Sequence, residues 1–431
     1  MDIYVVQPGD TIEEIANMYE ITVEKLIRDN ELVNPDNLLV GQTIIIVHPS
    51  ETYMVSEGDT LEAIAADNNI RVGEILRNNP FLADREYIYP GEELAISFNR
   101  TASFSTYGYA NIFINRDTLR KTLPYLTYLS IYNYQIGNNG EALGSDDDID
   151  IIQTAIEYGV IPLMHLAAIS LLGEFDVNLT YRLLNDEVYQ DTLFENVINV
   201  LRDKEYYGII ISAQYITTEN QDLFLNYTRR FSERLSQDGY LTLIAINPKV
   251  NTLDDEVVYE DIDYSKFSDV VYSILFLQYT WGILDTPPAP VISISNLSVF
   301  IDSIQTQIDA DKISIGIPVL GYMWELPYVA GFSSSNILSR DNVYNLAINV
   351  GATIQFDEVS QTPFFIFENT SNNSIQYIVW YIYAITFDSL MRLLIEKGIA
   401  STSVWNIMSY FAQLWLVINS QYKIVKLLPE P

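Results

Sequence analysis

Cysteine is absent from all 431 residues, so the chain has no disulfide, no thiolate metal ligand and no thiol nucleophile, and its redox compartment stays open. Only two histidines occur, His48 and His165; they cannot form a multi-histidine metal centre, and a Ser-His-Asp triad would need one of them. No metal and no cofactor is expected. Basic residues are few, 23 Lys+Arg against 57 Asp+Glu, for a formal charge of -34. Such a field repels nucleic acid and anionic lipid, and neither is an expected partner. No uncharged apolar run reaches the ~18 residues of a membrane span. The start, Met1-Asp2-Ile3-Tyr4-Val5-Val6, has neither the basic nor the extended apolar region of a cleavable secretory signal, so none is expected. What the chain does have is apolar content, 48%, enough for a large core, and 31 tyrosines, which suit sheet surfaces, sugar contact or coat-like packing alike.

The first hundred residues contain a repeat. Val6-Gln7-Pro8-Gly9-Asp10-Thr11 returns as Val55-Ser56-Glu57-Gly58-Asp59-Thr60, and the same offset relates Ile15 to Ile64, Ala16 to Ala65, Leu26 to Ile75 and Asn30 to Asn79. Gly41 and Gly91 show one extra residue in the second copy. Each copy reads strand, Gly-Asp-Thr turn, helix, short helix, loop, strand, with Thr11 or Asp10 supplying an N-cap oxygen to a helix that turns Ile12, Ile15 and Ala16 to one side.

Both copies resemble LysM modules, over residues 2–48 and 51–98. The resemblance implies binding of N-acetylglucosamine-containing glycan, peptidoglycan or chitin oligomers, in a shallow groove. Carried over, that groove would use Gly9, Asp10, Thr11 and Ile12 with Asp36, Asn37 and Leu38, and Gly58, Asp59, Thr60 and Leu61 with Asp84 and Ile88. The same Gly, Asp and Thr also read as residues that merely form and cap the turn.

From residue 103 to 431 apolar β segments alternate with amphipathic helices, which predicts an α/β fold built on a parallel sheet. Eight segments qualify: Phe104–Ala110, Tyr128–Tyr134, Ile161–Leu166, Gly208–Gln214, Leu241–Ile246, Val270–Tyr279, Ile313–Val319 and Thr402–Trp405. They fit a (β/α)8 TIM barrel with a small α+β insertion over about 322–385, where Ala352–Asp357, Pro363–Phe367 and Ile375–Trp380 read as short antiparallel strands. Pro124-Tyr125-Leu126-Thr127-Tyr128, Phe231-Ser232-Glu233-Arg234-Leu235, Gly321-Tyr322-Met323-Trp324-Glu325-Leu326-Pro327-Tyr328 and Ala352-Thr353-Ile354-Gln355-Phe356-Asp357-Glu358 together resemble family-18 glycoside hydrolases, in particular the LysM-bearing spore peptidoglycan (cortical fragment) N-acetylglucosaminidases.

The resemblance implies chemistry on the fourth strand, in a D-G-x-D-x-D-x-E pattern whose Glu protonates the glycosidic oxygen while the preceding Asp orients the acetamido group that attacks the anomeric carbon. Here that stretch reads Tyr207-Gly208-Ile209-Ile210-Ile211-Ser212-Ala213-Gln214. Tyr207, Ile210, Ser212 and Gln214 stand at the acidic positions, and a carboxamide has no acidic proton to give. Tyr279 and Trp281 remain as cleft candidates around Thr280, where an acid is expected; Trp380-Tyr381-Ile382-Tyr383-Ala384 replaces a Trp-aromatic-Glu-Asp-Ala run; and Trp405 matches the barrel-floor tryptophan or is a core aromatic.

Taken alone, the sequence predicts no catalytic residues: a pseudoenzyme, a glycan-binding protein with a decayed hydrolase barrel and no glycosidase activity. Two alternatives stand beside it. One is an active peptidoglycan or chitin N-acetylglucosaminidase of spore germination using other residues, with Glu325 and Glu358 as carboxylates to test; the other is a self-assembling spore-surface scaffold bound to coat proteins. Localisation is expected in the spore coat, cortex or cell envelope of a spore-forming bacterium. Ser145-Asp146-Asp147-Asp148 is expected to cap the helix that follows it, because it lacks the glycine and glutamate of an EF-hand loop.

Overall fold

The computed structural model describes all residues except 84, 86, 168–175, 214–215, 249, 254–255, 278–285, 370–374 and 431, and it leaves the side chains of 250–253 and 256–258 undescribed. Each N-terminal repeat folds as an antiparallel strand pair closed over two helices. Asp2–Val5 pairs with Thr43–Ile46, and Glu51–Met54 with Glu93–Ser97. Thr11, not Asp10, caps the helix Ile12–Met18, in a reciprocal box with Glu14; Thr60 caps Leu61–Asp67. Asp10 instead closes the preceding turn, accepting from the Gln7 amide at 2.7 Å and the Tyr4 hydroxyl at 2.6 Å. Asp59 does the same with Ser56 and Tyr53. The repeated asparagine also gains a reason: Asn30 and Asn79 end the second helices, and their buried amides exchange hydrogen bonds with the backbone of Ile45 and Ala95 in the last strands.

Eight parallel strands close on themselves: β1 (Ala102–Asn111), β2 (Tyr128–Ile136), β3 (Ile161–Ala167), β4 (Gly208–Ala213), β5 (Leu241–Ile246), β6 (Ile274–Phe276), β7 (Ile313–Pro318) and β8 (Ser401–Trp405), with β8 pairing back to β1. This is the expected TIM barrel. Side chains alternate across each strand: Ile210, Leu243, Leu163 and Leu275 fill the interior, whereas Ile209, Ile211 and Ile244 pack outward under the helices. Tyr107, Tyr109, Tyr128 and Tyr132 project into the same interior. These four of the 31 tyrosines therefore serve barrel packing, not surface contact. A register shift between Tyr132 and Tyr134 turns Tyr134 outward, to donate to buried Asp148.

Between β7 and β8 rises a five-stranded sheet in the order Asn336–Ser339, Leu320–Leu326, Ile375–Trp380, Thr362–Asn369, Gln355–Asp357, with a helix over Arg340–Asn349. The sequence reading missed its first two strands, because Leu320–Leu326 continues almost directly from β7 and reads as its tail. Ala352–Ile354, expected as strand, is instead the link from that helix into Gln355–Asp357.

Both repeats sit against the barrel. The Gln413 amide donates to the Thr43 carbonyl at 2.7 Å, and the Ile354 amide to Val40 at 2.8 Å. In the second repeat Arg77 pairs with Glu430 at 2.8 Å, and Arg100 with Glu74 at 2.6 Å. Arg28 of the first repeat lies 3.9 Å above the Phe81 ring of the second. The acidic run 146–148, expected to cap the next helix, instead forms a 3-10 turn that Ser145 caps, and Asp148, at the start of the helix Ile149–Glu157, makes no capping bond to it. Asp148 has a further role that its sequence position hides: it is fully buried and binds Lys204 at 2.7 Å and the Tyr206 hydroxyl at 2.8 Å.

Candidate functional site at the barrel mouth and the repeat grooves

In a parallel barrel the loops that follow the strands gather at one end, and the last inward residues of the strands form its floor. Among the described residues that floor is aromatic and uncharged. Trp405, the final residue of β8, packs at 5.0 Å from Tyr109 and 5.2 Å from Tyr132, and Tyr132 stacks on His165 at 3.7 Å. His165 is buried, its Nδ1 lies 3.3 Å from the Ser130 hydroxyl, and its Nε2 has no partner among the described residues. The Tyr109 and Tyr132 hydroxyls are likewise unpartnered there. Burial lowers the His165 pKa to about 3 and raises both tyrosines well above their ordinary value, so the cluster is neutral at physiological pH.

The fourth strand delivers its residues unequally. Ile210 is buried inside the barrel, and Ser212 lies partly exposed near the strand's C-terminal end. Tyr207 does not join them: it precedes β4 at the opposite end, is 38% exposed, and its amide donates to Pro162. Gln214, Tyr279, Thr280 and Trp281 lie outside the described residues, as does Asp84 of the second groove. In the insertion, Tyr381 and Tyr383 are buried and Glu325 and Glu358 exposed.

In the repeats, Gly9, Thr11, Asp36 and Asn37 are exposed and Leu38 half-buried, so the two segments of the first candidate groove both reach the surface. Ile12 does not: at 2% exposure its side chain is core, and only its backbone can face a ligand. In the second repeat Gly58 and Thr60 are exposed, and Asp59, Leu61 and Ile88 partly so. Among the described residues no cluster of His, Asp or Glu could hold a metal ion, and no helix is long and apolar enough to cross a membrane.

LysM domain models match residues 4–47 and 53–97, and the model for glycosyl hydrolases family 18 matches residues 173–409, more than half of the sequence. The chain belongs to glycosyl hydrolase family 18. It is 31% identical over 433 residues to a Bacillus subtilis protein named cortical fragment-lytic enzyme, with 99% of each chain covered. A Bacillus anthracis protein of the same name is 29% identical over 437 residues, again 99% of each. The crystal structure of the Bacillus megaterium spore cortex-lytic enzyme SleL matches at TM-score 0.78 and 26% identity over 98% of both chains.

These likenesses overturn the sequence-based expectation of a non-catalytic, decayed barrel. They run the full length of proteins named as lytic enzymes, and the reading they favour is the alternative, a hydrolase. The error has a physical source. Absence of carboxylates on β4 removes one arrangement of acid and orienting group, but a barrel mouth is assembled from eight loops and an insertion, and any of them can bring a carboxyl group to the substrate. The meeting of Tyr109, Tyr132 and His165 at the floor was also missed. For the two tyrosines the signal was the period-2 run in β1 and β2, whose inward phase becomes visible only when the barrel closes.

The buried imidazole sets a pH dependence. Unfolded, His165 would titrate near 6.5, against about 3 when folded. Between these values the unfolded chain binds the extra proton, so this contribution to stability is complete above about pH 6.5 and is lost on acidification, at up to about 1.4 kcal/mol per pH unit. His165→Phe, which keeps a flat ring against Tyr132, should unfold in denaturant with a shallower loss of stability between about pH 6.5 and pH 4 than the parent chain. Equal slopes would show that His165 is not the group responsible.

Proposed function

We propose that the chain is a hydrolase of N-acetylglucosamine-containing peptidoglycan fragments in the spore or cell envelope, holding the glycan in its two LysM grooves and cleaving it at the mouth of the barrel. The observation that carries this reading is the likeness over 99% of the chain to a cortical fragment-lytic enzyme, which spans both LysM modules and the barrel together. The geometry supports it. Trp405 offers a partly exposed aromatic face at the floor, suited to the apolar face of a pyranose. Gly9, Thr11, Asp36 and Asn37 in one module and Gly58, Thr60 and Ile88 in the other present both edges of a groove at the surface.

Because a carboxamide at position 214 cannot donate a proton at neutral pH, the reading places the general acid outside β4. Glu325 and Glu358, both exposed on the insertion that leaves the mouth after β7, are the first carboxylates to test. Incubating the full chain with purified cortex fragments should release reducing ends above buffer hydrolysis. Replacing the carboxylate that serves as acid by its amide should lower that rate by about 10^2-fold or more. Amide variants of both glutamates that keep the parent rate would remove these two from the mechanism.

A further inference from the structure

The first LysM module, the insertion and the barrel enclose a cavity of about 350 Å³, a size within the range of small-ligand sites. Its walls are aromatic and aliphatic: Tyr344, Tyr381 and Tyr383 with Val343, Ile354 and Ile382 from the insertion side, and Phe411 from the segment after β8. The LysM module closes it with Asn30–Val33, Gln42 and Thr43. Two features of its rim select for a neutral occupant. Glu31 is ion-paired with Lys121, and Arg340 is ion-paired with Asp341 while lying 4.7 Å above the Phe411 ring, so each rim charge is already compensated. Of the other polar groups around the space, Asn30, Gln42, Thr43 and Gln413 are uncharged and already hydrogen-bonded to the backbone or to one another, and Asn345 presents an exposed amide. Aromatic faces beside the exposed Asn345 amide, with the rim charge neutralised, match an uncharged amido sugar better than a fatty chain, which needs no amide, or an ionic peptide, which needs an open charge.

The position adds a second argument. The lining segment Asn30–Val33 runs directly into Asp36–Leu38, one edge of the candidate glycan groove of that module, and Val33 stands at the cavity lip with 71% of its surface exposed. We infer that this interdomain cavity is a separate binding site for one N-acetylhexosamine unit of the glycan, seated between LysM module and barrel. The inference rests on the proposed function, since it takes its ligand class from that reading.

N-acetylglucosamine itself is the probe, because it has no glycosidic bond to be cut. Crystals of the full chain soaked in the monosaccharide should show a pyranose against the aromatic walls, and calorimetric titration should lose one site, or about tenfold in its affinity, in Val33→Arg and Asn345→Trp. Both positions are exposed, and an unchanged unfolding midpoint confirms that the variants fold. A sugar-free cavity in the soaked crystal with wild-type binding in both variants overturns the cavity site. If the chain still releases reducing ends from cortex fragments, the proposed function survives that result; if it neither releases them nor binds the sugar, both fall. Occupation of the cavity by an added stem peptide, with the sugar excluded, also overturns the assignment.

Discussion

In a parent chain carrying Glu325→Gln and Glu358→Gln, restoring both carboxylates of β4 with Ser212→Asp and Gln214→Glu together should raise turnover of cortex fragments by about 10^2-fold over that parent, the lower end of what general acid catalysis supplies. Gln214 stands where the family pattern has its acid, and Ser212 two residues before it, near the C-terminal end of the strand and partly exposed. Gln214→Glu alone should gain about tenfold, because it provides a proton without a group to orient the acetamido nucleophile. The pair should gain more than the product of the two single changes, since the Asp anion also holds the neighbouring Glu protonated toward neutral pH. Turnover measured for the parent, both single variants and the double variant decides the matter. A double variant no faster than the parent would mean that substrate does not lie over β4.

A second large effect is expected where the first LysM module meets the insertion. Gly41 and Gly91 occupy the same place in the two repeats, both with positive φ, +85° and +89°. An added Cβ at Gly91 meets nothing within 4 Å, whereas at Gly41 it would lie 2.1 Å from the Ile354 carbonyl oxygen. The Ile354 amide is itself bound to Val40, so that backbone cannot easily retreat. Gly91→Ala should therefore cost only the left-handed strain of a non-glycine residue, about 1–2 kcal/mol. Gly41→Ala should cost about 3 kcal/mol or more, or should release the module from the barrel and expose the 38–43 loop to protease. Equal unfolding midpoints for the two variants would contradict this packing.

Much of this architecture was legible because it is written locally. Gly9-Asp10-Thr11 and Gly58-Asp59-Thr60 set a turn and a cap within three residues, and β3, β4 and β5 are largely apolar runs of the kind that parallel sheets require. What escaped the sequence depends on distant partners. The buried Asp148 is explained by Lys204, 56 residues away, and the docking of the second module by Arg77 with Glu430, 353 residues apart. The inward turn of Tyr109, Tyr132 and His165 onto one floor follows from strand register after closure. The site was read from β4, the 279–281 stretch and the 380–384 run, and that is where the reading failed: the carboxylates missing from the family's positions were taken as the loss of chemistry altogether, although a mouth built by eight loops and an insertion can take its acid from elsewhere.

The most direct test of the central claim is to digest purified cortex fragments with the full-length chain in heavy-oxygen water and examine the products by mass spectrometry. Hydrolysis places one oxygen from water on the anomeric carbon of each new reducing end, so the account predicts shortened fragments that carry the heavy isotope at a terminal N-acetylglucosamine. Fragments left at their original length, with no isotope incorporated beyond the buffer control while the chain remains folded and bound to the glycan, would contradict it.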